Sequence, residues 1–278
     1  MEINPSLLHE GKKVLIGLPW YKTASPLTSF CMMALMDRRK YGISLGFGDA
    51  FIAHSRNKLA TQLLNSDFEW LLMVDDDMII PWGDAKWFND HTGLNLADKF
   101  AGLHTIDRLL SHRKTLVGAL YFGRWHQAPP VFAEGRQMDK MLRTRGPVDE
   151  IRPTKWVGTG CSLFHRSVFL DIEKMFPNLS RERNSGNGQY FTSSEHDLCK
   201  AADQSQIIAN DDSLTPEVRI AKIQELLRKA QAKSSVHSSA GMGEDVQCCV
   251  RATQAGHQPH VDIGLLCGHV GSAVYPIR

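Results

Sequence analysis

An apolar run, Trp70-Leu71-Leu72-Met73-Val74, stops at three consecutive carboxylates, Asp75-Asp76-Asp77, before Met78-Ile79-Ile80-Pro81. A short run that is apolar on both side-chain parities is the pattern of a strand covered on both faces, and such strands belong to parallel or mainly parallel sheets flanked by helices. Three like charges cannot stay in that core, so the acids must lie where the strand emerges. In open α/β sheets the ligand crevice lies outside the carboxyl ends of the strands. Hard carboxylate oxygens there suit Mg2+ or Mn2+ carried with the phosphates of a nucleotide. A solvated acidic turn is the plainer reading, although three acids exceed what a turn needs.

The rest of the chain repeats the alternation of strand and helix. Val14 to Pro19 reads as a central strand stopped by its proline, 25–39 as a helix, 41–47 as a strand, and 50–64 as a helix capped by Asp49. A helix over 101–111 precedes a strand over 115–122, and the apolar runs at 131–133 and 138–142 suggest a hairpin. The expected fold class is α/β, a Rossmann-like, mixed and mainly parallel sheet flanked by helices. At 278 residues and 42% hydrophobic content, the chain can bury one large core and carry an insertion.

That insertion is expected over 177–242, separating a first part of the domain (1–176) from a last part (243–278). Its borders, Asn184-Ser185-Gly186-Asn187-Gly188 and Ser234 to Gly241, have compositions that build no core. Between them Thr215-Pro216-Glu217 opens a helix with a capping hydroxyl, a first-turn proline and an acid favoured by the helix dipole. Ile220, Ile223, Leu226, Leu227 and Ala230 mark one face, which either packs on the domain or offers an oligomer or acceptor contact.

A net charge of +2 gives no argument for nucleic acid or an anionic membrane as partner, and the local clusters Arg108, His112, Arg113, Lys114 and Arg143, Arg145 read as solvated faces. No apolar segment is long enough to span a bilayer, and the first residues lack a leader pattern, so no membrane association and a cytoplasmic location are expected. The six cysteines contain no C-x-x-C pair, which suits reduced core thiols.

Three further stretches carry candidate chemistry. Gly158-Thr159-Gly160 lets backbone approach a ligand closely, or marks a bulge. Gly243-Glu244-Asp245 opens a helix expected to turn Val246, Cys249, Val250 and Thr253 inward. Its two carboxylates serve as ordinary helix-end acids or deliver a base. The run from His260 ends at Gly268-His269, whose imidazole could ligate a metal; a zinc set of His257, His260, Cys267 and His269 is a remote alternative.

Taken in order, Pro19-Trp20-Tyr21, Arg56-Asn57, Asp75-Asp76-Asp77, Gly158-Thr159-Gly160, Glu244-Asp245 and His269-Val270-Gly271 resemble nucleotide-sugar glycosyltransferases of the GT-A fold, among them family-2-like and bacteriophage-encoded enzymes. The resemblance implies that Asp75, Asp77 and His269 hold Mn2+ or Mg2+, and that Asp76 lies toward the ribose. It places Pro19, Trp20 and Arg56 along the base and diphosphate, and Gly158, Thr159 and Gly160 by the donor sugar. Asp245 matches the base of inverting members, with Glu244 as substitute, whereas retaining members use that acid otherwise. The implied activity is metal-dependent transfer from a nucleoside-diphosphate sugar, a UDP-sugar first, to a hydroxyl of a modified nucleic-acid base, glycan or protein, in the host cytoplasm if phage-encoded. A nucleotidyltransferase or sugar-nucleotide pyrophosphorylase would need a glycine-rich, lysine-bearing loop after the first strand, which Pro19 to Ser25 does not supply. A non-catalytic nucleotide-binding protein is the other alternative.

Overall fold

The computed structural model describes residues 14–20, 28–29, 41–47, 52–81, 104–123, 129–145, 149–182, 186, 188–192, 201, 204–236, 243–270 and 274–275. Its centre is a seven-stranded sheet in the order β2-β1-β3-β7-β5-β8-β6. The strands are β1 (Val14–Trp20), β2 (Tyr41–Phe47), β3 (Trp70–Val74), β5 (Leu116–Leu120), β6 (Ile151–Pro153), β7 (Cys161–His165) and β8 (His260–Leu266). β1, β2, β3, β5 and β8 run one way; β7 and β6 run against them. The sheet is thus mixed and mainly parallel, and the whole is a Rossmann-like α/β fold. A second, three-stranded sheet joins β4 (Met78–Ile79), β9 (Gly268–Val270) and β10 (Val274–Tyr275).

Alternating side chains place helices on both faces of the main sheet. Phe164 of β7 stacks on Phe169 at 5.4 Å, which puts α4 (Arg166–Met175) on one face. α1 (Ile52–Leu64) packs on β1, β2 and β3 there, and α6 (Glu244–Gln254) lies beside α4. Leu59, Leu63, Leu71, Leu72 and Met73 are completely buried, each stabilising the core by about 2 kcal/mol. Asp262 of β8 has the opposite parity, and Arg108 meets it from α2 (Thr105–Ser111) on the other face. Cys161, Cys248, Cys249 and Cys267 are buried thiols, and burial pushes Cys249 up to about 12.

Several expectations change. The runs at 131–133 and 138–142 form no hairpin: α3 (Gly135–Arg145) occupies the second, because buried Met138 and Leu142 stand one helical turn apart. In α6 the buried face is Gln247, Cys248, Cys249, Arg251 and Ala252, while Thr253 is exposed. Arg251 is inward because its guanidinium donates to the carbonyls of Gln189, Tyr190 and Thr192. Asn57 of α1 grips the same strap, accepting from Phe191 N and donating to Thr192 Oγ1. Tyr190 and Phe191 are therefore core residues. The helix predicted from Pro216 is α5 (Pro216–Val236), but none of its residues from 216 to 229 is buried, and Ile220 and Leu227 are exposed. The helix expected over 25–39 lies, apart from 28–29, outside the described residues, as does the Asp49 cap. No described helix is long and apolar enough to cross a membrane.

Arg108 and His112 are not on a solvated face either. The Asp262 carboxylate is wholly buried and accepts from Arg108 Nε (2.6 Å) and Nη2 (2.8 Å), with His112 Nε2 at 2.7 Å. It also accepts from the amides of Gly264 (2.9 Å) and Leu265 (3.1 Å). These bonds hold a bulge, since the β5–β8 register passes from Ala119↔Asp262 directly to Leu120↔Leu266.

Candidate functional site

Because β1, β2, β3, β5 and β8 are parallel, their carboxyl ends share one edge, where the acids after β3, Tyr121-Phe122 after β5 and β9 after β8 arrive. α1 begins at this edge and brings Arg56, whose guanidinium is almost completely buried. Nη2 donates to Asp75 Oδ1 (2.7 Å) and Oδ2 (3.0 Å), and Nη1 to Glu244 Oε1 (2.5 Å). Burial pulls the pKa of Arg56 down, but Asp75, Glu244 and Asp245 together outweigh it and raise it. The fork expected to meet a diphosphate is therefore occupied by two carboxylates of the chain.

Asp245 follows in the first turn of α6, its Oδ1 accepting from Val246 N at 2.8 Å. Burial holds its pKa above the usual aspartate value, opposed by Arg56 and reinforced by Glu244 and Asp75. A carboxyl group so placed holds a proton more strongly than an exposed one.

On the other side of Asp75 the chain turns, with Met78 N donating to Asp75 O, and β4 pairs with β9 so that Met78 lies opposite His269. Val270 N donates to Asp77 O at 2.7 Å. His269 Nδ1 lies 2.8 Å from the carbonyl oxygen of Phe122, which can only accept, so Nδ1 carries the hydrogen. Nε2 then faces Asp77 Oδ1 at 3.3 Å. An imidazole nitrogen and a carboxylate oxygen so placed are a pair that can share a cation.

Tyr121 lies behind this pair, its ring edge-on to His269 at 5.7 Å and its hydroxyl accepting from Gly160 N at 3.0 Å. Burial raises its pKa well above the usual phenol value, and Asp75 and Asp245 add to the shift, so the group stays neutral. Gly158 and Gly160 are glycine because of this residue: a Cβ on Gly158 would strike the Tyr121 hydroxyl, and one on Gly160 would lie 2.8 Å from its Cζ. The close approach read from the two glycines is thus made by a side chain of the protein.

The other predicted residues fall around this edge with less contact between them. Asp76 sits half-buried in the acidic turn, and Thr159 is buried with a hydroxyl that has no partner among the described residues. Pro19 lies in β1 opposite Gly46 and does not stop the strand, which runs on to Trp20 opposite Phe47; the side chain of Trp20 lies outside the described residues. Among the described residues no three His, Cys, Asp or Glu side chains converge as a metal cluster. The zinc alternative fails on geometry: His257, between Thr115 Oγ1 and Asp171 Oδ2, and His260 stand at the amino end of β8, while His269 lies beyond its carboxyl end.

No family model matches the sequence, and no curated protein does. Among solved structures, A197 from STIV shares 9% identity, covering 94% of this chain and 86% of its own, with a TM-score of 0.44. A Bacillus anthracis protein described as a glucose-1-phosphate thymidylyltransferase, in complex with sucrose, shares 10% identity over 60% of this chain and 76% of its own, with a TM-score of 0.31. Both are too distant to carry a family or an activity over to this chain.

Proposed function

We propose that the protein is a GT-A-type glycosyltransferase that moves a sugar from a nucleoside diphosphate, UDP first among donors, to an acceptor hydroxyl with the help of Mn2+ or Mg2+. The observation that carries this reading is the His269–Asp77 pair, with the imidazole tautomer set by Phe122 so that Nε2 and a carboxylate oxygen face one another. Two protein ligands are what a Mg2+ or Mn2+ ion needs when substrate phosphates and water complete its shell, and a closed protein cage is not required. When bound, the ion stabilises the charge of the leaving diphosphate.

The chain's own groups then divide the work. Asp77 and His269 face the diphosphate side, with Asp75 beside them under the hold of Arg56. Asp245 takes the proton of the acceptor hydroxyl as its oxygen bonds to the anomeric carbon and the bond from that carbon to the diphosphate oxygen breaks. Glu244, bonded to Arg56, keeps the first turn of α6 against the acidic strand end. Calorimetry with UDP-, GDP-, CMP- and dTDP-sugars, with and without Mn2+, tests the assignment without knowledge of the acceptor. Binding of at least one donor that strengthens with Mn2+ is expected; none binding in either condition would remove the proposal.

A further inference from the structure

Tyr121-Phe122 touches both the Gly158–Gly160 loop and His269, two parts of the candidate site from distant sequence, and no motif marks it. The Tyr121 hydroxyl accepts from Gly160 N, and Gly160 O accepts from Asp75 N at 3.0 Å, so one phenol and one glycine, through the peptide groups on either side of it, join β5 to the acidic turn. The same ring meets His269 edge-on, and the Phe122 carbonyl fixes the His269 tautomer. Tyr121 O accepts from Val131 N at 2.9 Å, Val131 O accepts from Gly158 N at 3.1 Å, and Val157 O accepts from Cys249 Sγ, which continues the connection to the helix that bears Asp245.

We infer that Tyr121 is the positioning residue of the site: it sets the spacing between the acidic turn and His269 through the Gly158–Gly160 loop, and so governs how tightly a divalent cation is held. The inference rests on the glycosyltransferase reading only for the identity of that cation. The hydroxyl is enclosed by the loop, so its role is to hold groups in place and not to touch substrate.

Tyr121→Phe keeps the ring and removes the hydroxyl, leaving Gly160 N without its acceptor. Two measurements separate positioning from plain stability. In the metal-free protein, amide exchange at Asp75 should quicken about tenfold, because its acceptor Gly160 O is loosened, while Leu71 and Leu72 in the same strand exchange as in wild type. Mn2+ alone, titrated by calorimetry, should bind about five- to tenfold more weakly. Unchanged exchange at Asp75, or a lowered melting temperature with Mn2+ affinity equal to wild type, overturns the inference. If wild type binds no Mn2+ in the absence of a donor, the ion arrives with the diphosphate, the glycosyltransferase reading is left to the donor titrations, and Asp75 exchange alone decides whether Tyr121 positions the turn. A double variant adds a check: Gly158→Ala should be strongly destabilising alone and less so with Tyr121→Phe, since the nearest atom its Cβ strikes is gone, while Val131 Cγ1 at 2.7 Å and Tyr121 Cζ at 2.9 Å keep part of the clash. Additive effects would show that loop and phenol do not interact as described.

Discussion

Arg56 ties Asp75 to Glu244, a residue 188 positions away from it, through one buried guanidinium whose two terminal nitrogens each serve a different carboxylate. Removing such a group strands both partners. Arg56→Gln should therefore lower unfolding stability by about 3 kcal/mol, read from urea titration in the absence of divalent ions. Part of that loss should return with Mn2+, which can supply the missing positive charge at Asp75. Wild-type stability in the variant would mean that the bridge contributes nothing.

Asp77→Asn should abolish the Mn2+-dependent part of donor binding while leaving the fold intact, since this carboxylate lies at the edge of the sheet and not in its core. His269→Ala should weaken the same binding about tenfold or more, a coupling expected only if the two share an ion. Equal Mn2+ affinity in His269→Ala and wild type would return the histidine to a purely structural role.

Asp245→Asn should keep donor and Mn2+ binding and lose transfer by about a hundredfold or more. It should also be at least as stable as wild type at neutral pH. An acid whose folded pKa lies above its unfolded value costs stability where it is ionised, and that cost disappears as the pH falls below the unfolded value of about 3.9. Melting curves across this range check the sign; a wild type more stable than the variant at neutral pH contradicts it.

Asp262 behaves in the opposite sense. Burial alone would raise its pKa, but the bonds from His112 and Arg108 outweigh burial and lower it. Its contribution is present above the unfolded pKa of about 3.9 and is lost as the pH falls through the lower folded value. Asp262→Asn should cost about 3 kcal/mol at neutral pH, with the gap to wild type closing only in strong acid. A gap that is already closed at pH values near neutrality would exclude the network as its source.

Replacing residues 197–233 by a short flexible linker should lower the melting temperature only slightly, because among the described residues of that segment Ala201 alone is buried. Mn2+-dependent donor binding should persist and transfer to the natural acceptor should fall, if this arm receives the acceptor. Native mass measured beside these assays distinguishes an oligomer contact, which would change the mass first.

β1, β2, β3, β5 and β8 were legible because their chemistry is local, a mainly apolar run that can be read residue by residue, whereas β4, β6 and β10 are two or three residues long and form no such run. The helix α3 was hidden because Met138, Met141 and Leu142 sit close enough in sequence to resemble a strand, and only their three- and four-residue spacing distinguishes them. Arg108 and His112 looked like surface charge, although Asp262 inside an otherwise apolar run already required buried partners. Asp75, Glu244 and Asp245 were found by type and position, yet their link through Arg56 is a tertiary fact. Tyr121 carried no signal at all, since an aromatic residue ending a buried strand is ordinary. Tyr190-Phe191 was masked by the glycine- and asparagine-rich residues before it, which concealed where the core ends.

The two-residue ladder between β4 and β9 also orders events in time. Met78 and His269 stand 191 positions apart, so closing that ladder spans a long loop and carries a correspondingly large entropic cost. β1, β2 and β3 are assembled from nearby segments and can pair before the last strands leave the ribosome. During that interval the nascent chain displays its three aspartates without the imidazole opposite them. On the glycosyltransferase reading, the pair that would hold the cation is complete only once β9 has docked on β4.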